Sequence, residues 1–425
     1  MFSSFSTALT ALNATSTAID VVGNNLANLN TVGFKESTVS FYDLVAESIG
    51  AGSSGGQVGL GTAPPIIQRE FAQGSITSSA SALSTAISGD GFFILRDSTS
   101  GNTLYTRAGD FSLDKNGYLL TVTGQRVQGW PAVNGVPQIT GQLADINVPV
   151  GKERSGQAST QFELDMNLNA SAIAGSPTGT FSTSVQVYDS LGNPQTLTAT
   201  FTKDPTTPGN WTYQFTIPGD ATKTGTPGTP TNLLTTPGTL QFDSSGNLVA
   251  PDAKTAVTIP VPGLSDGAAD LNLSWNVYNP ATGAPNLTQF SQASTVSGES
   301  QDGHAASQVT HVGIGDGGTV YAQYSDGSQE TLGQIALAEI PNPESLTSVG
   351  QNNFQISGTS ADPVPGVPGS GGRGQIMGSS LEGSTVDIAT EFTNLIRFQR
   401  SYQAAGKVIT TADQMSQDTI NLKQG

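Results

Sequence analysis

The chain has 425 residues, more than one hydrophobic core usually serves, which sets an expectation of roughly two to four compact units. Its 16 basic against 33 acidic residues leave a net charge of −17, a field that repels phosphate backbones and anionic headgroups, and no Lys/Arg cluster opposes it, so nucleic acid is excluded as a partner. Abundant Gly (51 residues), few charged residues (12%) and no cysteine point to a β-rich bulk, and they exclude disulfides, thiolate catalysis and Cys-ligated zinc.

Over the first thirty residues Phe5, Leu12, Ile19 and Leu26 recur at every seventh position, and Met1, Ala8, Thr15, Val22 and Leu29 form a second, weaker series beside them. This is the stripe of a coiled-coil helix. Ser, Thr, Asn and Gly23 lower its intrinsic propensity, so it is a poor helix alone. Gly33 lies just past the stripe, where a helix must stop and the chain turn out. For Asn24, Asn25 and Asn28 two readings stay open: a solvated helix end, or specific hydrogen bonds between helices. The first basic residue is Lys35, so the positive start of a cleaved secretory signal is missing, and export, if it occurs, is expected without cleavage. No apolar run approaches the roughly 20 residues that span a bilayer, so no membrane insertion is expected.

Between the ends, alternating patterns and turn signals predict strands. Phe111 to Leu113 and Tyr118 to Val122 flank the hairpin signal Asn116-Gly117. Gly192-Asn193-Pro194 separates Val185–Tyr188 from Leu197–Phe201, and Ser245-Gly246-Asn247 and Asp326-Gly327 mark two more turns. Phe92, Phe93 and Ile94 read as a buried strand, and Trp211 to Ile217 as a strand inside a Pro/Thr/Gly-rich stretch from 204 to 237. The Pro/Gly tract from 362 to 374 reads as an extended connector, with 50–61 as its partner.

At the other end Ile388, Phe392, Leu395, Phe398, Tyr402, Ala405, Ile409, Ala412, Met415 and Leu422 again follow spacings of three and four, with Ser384 as the expected cap and Asp387 at the capping-box position. Heptads confined to both ends predict a helix pair that meets itself and neighbouring copies, helical only when stacked. The whole is expected to be mainly β with a terminal helical pair, in nested order: helices at 1–29 with 384–425, a connector at 30–70 with 358–383, an inner β domain at 71–154 with 287–357, and an inserted outer β domain at 155–286.

Catalytic signals are weak. Gly313 to Gly318 fits G-x-G-x-x-G, but Thr319–Tyr324 after it alternates as a strand where a dinucleotide site needs a helix. His304 and His311, the two histidines, read as surface residues before metal ligands, and Asp114-Lys115-Asn116-Gly117 as a turn before a calcium loop. No cofactor, metal or enzyme is expected.

Four segments resemble the rod and hook class of bacterial flagellar axial proteins. Asn24-Asn25-Leu26-Ala27-Asn28-Leu29-Asn30-Thr31-Val32-Gly33-Phe34-Lys35 is similar to the N-terminal signature of that class. Gln73–Ile76 with Ile87–Phe93, Tyr105–Phe111, and Val386–Ala389 with Arg400–Ala404 carry the rest. Thr385 stands where the class commonly has Asn. The length of the middle and Val187–Gly192 favour the hook members. The resemblance implies a structural subunit that polymerises into a flexible hollow tube transmitting torque from rod to filament. It also implies passage through the flagellar type III export apparatus to the outside of the cell, and contact with distal rod, hook cap, hook-filament junction and hook-length control proteins. A distal rod subunit with an enlarged insertion and a β-rich extracellular binding module or adhesin are the rival readings.

Overall fold

The computed structural model describes residues 2–44, 47–49, 56–253, 255–358 and 360–423, with side chains described at all of these except 2, 3, 47–49, 56–58 and 421–423. The chain divides into two compact units, one formed by Met1–Val150, Thr310–Gln323 and Ser328–Gly425, the other by Gly151–Val309 and Tyr324–Gly327. It is mainly β, with one long helix near each end: α1 at Phe2–Ala27 and α2 at Ile388–Lys423.

In the first unit an antiparallel sheet runs through residues 319–323 of the strand Thr319–Tyr324, then Gln329–Ile335, Arg126–Val133, Phe92–Arg96, Thr103–Thr106, Asn353–Gln355 and Thr347–Gly350. Phe92–Arg96 lies at its centre and is covered on both faces, which is why it is written as a continuous apolar run. Phe93 and Leu95 join Ile87, Leu119 and Val127 on one side. Phe92 and Ile94 join Tyr105, Trp130 and Phe354 on the other, with Phe71 edge-on to Phe92 at 5.6 Å and to Phe354 at 5.3 Å. The Pro/Gly tract does more than connect. Val364–Gly366 within it pairs with Leu337–Glu339, and Gln375–Gly378 pairs with Thr85–Ser88. Of its expected partner, residues 50–55 lie outside the described residues.

The second unit packs a five-stranded sheet against a six-stranded one around a single core. Asn210–Ile217 alternates half-buried and buried along its whole length, burying Trp211, Tyr213, Phe215 and Ile217. Trp275 sits edge-on to Tyr213 at 5.1 Å and to Phe215 at 5.3 Å. The strand Thr295–Gln301 pairs with Gln161–Asn167, so this unit extends past 286, the end expected for the inserted domain.

Three hairpins use one loop. Asp114, Asp189 and Asp243 each accept at Oδ1 from the backbone N–H two and four residues on, and the glycine three residues on donates to the same Asp carbonyl. The connection after Asp114 therefore runs from 114 to 118, longer than a two-residue turn, because the carboxylate supplies two of its bonds. That carboxylate is used as a turn acceptor.

Candidate functional site: the terminal helices and their base

α1 and α2 pack side by side, with Ala18, Val22 and Phe398 at the centre of a small core and Ile19, Leu26, Leu395 and Val39 around it. The stripe that α1 turns to α2 is the weaker of its two series. Ala8, Thr15 and Val22 are buried, with Ala18 and Asn25 completing the row, whereas Phe5 is 43% exposed and Leu12, Ile19 and Leu26 are half-buried. On α2, Glu391, Phe398 and Ala405 are buried at heptad spacing. Leu395 and Ile409 are half-buried, and Ile388, Phe392, Tyr402 and Met415 face outward. The side chain of Leu422 lies outside the described residues.

The cap of α2 is Asp387, not Ser384. Asp387 Oδ1 accepts from Thr390 N at 2.7 Å, which holds this exposed carboxyl below its ordinary pKa, while Ser384 Oγ accepts from Val386 N, still ahead of the helix. The first apolar residue of the stripe follows Asp387 directly, so the nearer acceptor takes the helical N–H group.

Below Ala27 the signature residues form a joint. Gly33 has φ +68°, and a Cβ there would lie 2.6 Å from the backbone N of Ala108. Gly33 N donates to Glu382 O at 2.8 Å, and Thr385 N to Phe34 O at 3.2 Å, so the chain leaving α1 is tied to the chain entering α2. Glu36 N donates to Thr385 Oγ1 at 2.9 Å, which gives this Thr a definite place. Phe34 is buried beneath the Arg69 guanidinium, and Asn352 Nδ2 donates to Val32 O.

Lys35 is fully buried. Its Nζ donates to Ala72 O at 2.5 Å and to Glu382 Oε1 at 2.7 Å, and Glu382 Oε1 also accepts from Gly74 N at 2.9 Å. Arg107, 3% exposed, places Nη1 3.5 Å from Glu382 Oε2, an ion pair without a hydrogen bond. Burial lowers the pKa of both Lys35 and Arg107, with Glu382 opposing it. One carboxylate thus serves two buried cations from three segments of the chain.

The three asparagines divide. Asn25 is 1% exposed and bonds both the backbone of Ser37 and, at 3.4 Å, Glu391 of α2. Asn24 is exposed, and Asn28 returns to the Asn24 carbonyl and receives the Thr31 hydroxyl, as a helix end does. Ala27 is exposed and Leu29 half-buried. Glu382 and Glu391 had no signal in the sequence: the partners of Glu382 and the Asn25 partner of Glu391 are hundreds of residues away, although Asn394 Nδ2 also donates to Glu391 Oε1 within α2.

Elsewhere, Asp316–Gly318 is a short turn followed by the strand Thr319–Tyr324, so no helix receives the glycines. His304 bridges to Gln157 and His311 is exposed on a strand. Among the described residues no group of three or more potential ligands is arranged for a metal, and no helix is long and apolar enough to cross a membrane.

Family models match along the chain: a flagella basal body rod protein model at 5–35, the flagellar hook protein FlgE/F/G D1 domain at 86–182, the flagellar basal body protein FlaE D2 domain at 165–304, and the flagellar basal body rod FlgEFG protein C-terminal model at 377–422. The flagellar hook protein FlgE of Escherichia coli is 33% identical over 99% of this chain and 100% of its own, and that of Salmonella typhimurium 34% over 99% and 100%. The chain belongs to the flagellar hook protein family. The hook protein of Borreliella burgdorferi is likewise 33% identical over 96% of each chain. In fold, the chain resembles the crystal structure of Helicobacter pylori flagellar hook protein FlgE2, with a TM-score of 0.52 at 15% identity, covering 71% of this chain and 99% of that one. It is a structural subunit of the bacterial flagellar hook.

Proposed function

We propose that the subunits join through the outward faces of the two helices. The observation that carries this is the row Ile388, Phe392 and Ile396 on α2, which are 46%, 52% and 53% exposed at spacings of four. Single exposed apolar residues are ordinary, but a row along one helix face marks a docking surface. Met415 and Ile420 are also exposed, Phe5 and Leu9 do the same on α1, and further copies of this chain are the occupant that a hook protein supplies. α2 has 36 residues and α1 has 26, a difference of 10 residues or about 15 Å of helix.

Under this reading Phe5, Leu12, Ile19, Val22, Leu26 and Leu29 with Ile388, Phe392, Leu395, Phe398, Tyr402, Ile409, Met415 and Leu422 make the core of a hollow tube, part of them within the subunit and part between subunits. The β domains supply the remaining contacts between subunits. On the six-stranded sheet the outer face carries Ser182 against Thr200 and Ser184 against Thr198, an uncharged hydroxyl surface. Such surfaces exchange hydrated contacts at low cost, which supports a tube that bends while it transmits torque to the filament. The same reading places the subunit outside the cell, exported without a cleaved signal through the flagellar type III apparatus, and without enzymatic activity. Its neighbours are the distal rod, hook cap, hook-filament junction and hook-length control proteins.

The test is Phe392→Ser with Ile396→Ser. Both side chains are more than half exposed, so the chain folds, but sedimentable polymer and hooks seen by electron microscopy are lost. Normal polymer from this variant overturns the reading.

A further inference from the structure

Hydrophobic burial alone does not explain how α1 is turned about its own axis. Its stripe toward α2 is Ala8, Thr15, Ala18, Val22 and Asn25, with Ala14 and Val21 buried on one flank, while the series Phe5, Leu12, Ile19 and Leu26 is centred about 70° round the helix on the other, where Ile19 and Leu26 only half-cover the core and Phe5 is exposed. Burying a Phe or Leu side chain is worth several times the burial of an Ala methyl. A helix free to rotate would turn the larger series further inward and bury Phe5, Leu12, Ile19 and Leu26 more fully. Something outside the apolar seam therefore holds its phase.

Asn25 is placed to do this. Its Oδ1 accepts from Ser37 N at 3.0 Å and its Nδ2 donates to Ser37 O at 2.9 Å, so the amide engages one residue's two main-chain groups as a neighbouring strand would. Ser37 opens the strand Ser37–Ser40, which pairs with Ile66–Arg69, and Glu70 N bonds Glu36 O just before it. The side chain is thus fixed from the β ladder, not from α2. Its second contact, Glu391 Oε2 at 3.4 Å, meets α2 at the same level. We propose that Asn25 is a positioning residue that sets the rotational phase of α1, keeping the small stripe against α2 and leaving Phe5 and Leu9 outward for neighbouring copies. This rests on the reading that those outward faces join subunits. A buried polar residue that fixes the arrangement of a helix pair at some cost in stability is a known device.

The chain has no cysteine, so engineered thiols report the phase without interference. Two reporters are needed in the soluble full chain: Ala8→Cys with Ala405→Cys, residues that line one groove between the helices, and Phe5→Cys with Ala405→Cys. With Asn25 present, oxidation closes the first bridge about tenfold faster than the second, because a disulfide tolerates little misplacement. With Asn25→Leu the ratio falls to near one or inverts, and sedimentable polymer is lost. An unchanged ratio overturns the proposal. Since Asn25→Leu can also perturb the helix itself, Asn25→Asp is the second variant: it keeps the acceptor for Ser37 N but faces the Glu391 carboxylate. It loses the first reporter's advantage at neutral pH, and adding Glu391→Gln restores it. An Asn25→Asp chain that behaves as the parent, or one that Glu391→Gln does not relieve, overturns the assignment. The bridge ratio is read on soluble chain, so a parent chain that fails to polymerise sinks the functional reading and leaves the phase lock under its own test.

Discussion

Lys35 Nζ and Glu382 Oε1 lie 2.7 Å apart with both side chains wholly buried, joining residues 347 positions apart at the base of the helix pair. Arg107 stands on the other carboxylate oxygen without a hydrogen bond of its own there. Removing Glu382 therefore leaves buried Lys35 without a counter-charge and buried Arg107 with only the charge of Asp90. Glu382→Ala is expected to cost about 3–5 kcal/mol in the unit that holds it. Lys35→Met with Glu382→Leu costs less, since only Arg107 is then stranded. Hydrogen exchange in Phe92–Arg96 and Thr103–Thr106 reads both. A double variant as damaged as Glu382→Ala contradicts this account of the site.

Glu36 gives the base its pH dependence. Burial first, then the charges of Glu391, Glu70 and Asp387, raise its pKa above the ordinary 4.5. The folded chain then binds more protons than the unfolded one from pH 4.5 up to the raised value. The contribution of this group is full below 4.5 and is lost as the pH rises through the folded value. Glu36→Gln is accordingly expected to raise the thermal midpoint at about pH 7, by an amount that shrinks on acidification and vanishes below pH 4.5. Added salt reduces the gain by screening the three neighbouring carboxylates. A midpoint difference that does not vary with pH counts against the cluster.

What was legible in the sequence was whatever repeats locally. The seven-residue periods gave both helices, and alternation gave Asn210–Ile217 and the doubly buried Phe92–Arg96. How α1 would be turned toward α2 was not legible: Val22 of the weaker stripe is central in the shared core, Ile19 and Leu26 of the stronger one only flank it, and Phe5 is exposed. Asn25 touches Ser37 twelve residues on and Glu391 in the other helix, and no local period records such contacts. Glu382 was hidden for the same reason, a carboxylate in a run of Gly and Ser. The end of the second unit was misplaced because Thr295–Gln301 alternates half-buried with exposed and carries no apolar signature of the sheet it joins.

The helix pair is small for its length. Its buried apolar cluster is Ala18, Val22 and Phe398, against 26 and 36 ordered residues. Ordering a residue costs about 1–2 kcal/mol of backbone entropy, and alanines return little of it. On the proposed reading, neighbouring copies supply most of the compensating burial. Circular dichroism should show helix content rising as soluble chain becomes polymer. Equal helix content in the two states would rule this out.

Two glycines at opposite sides of the joint make a paired test of how α1 ends. Gly23 lies within α1, with nothing within 4 Å of where a Cβ would stand, so Gly23→Ala meets no clash. It is expected to stabilise the helix by about 0.8–1.0 kcal/mol. Gly33, at φ +68°, would carry its Cβ into the backbone of Arg107 and Ala108 at 2.6–2.9 Å. The left-handed conformation alone costs an L-residue about 1–2 kcal/mol, and backbone atoms cannot step aside as a flexible side chain can. Gly33→Ala should therefore loosen the tie between Gly33 N and Glu382 O, speed hydrogen exchange at 33–36, and reduce polymer yield. Gly23→Ala should leave the joint intact and raise helix content in the soluble chain. If both substitutions lowered polymer yield alike, the loss would come from helix stiffness, and the close approach at Gly33 would not be what positions α1.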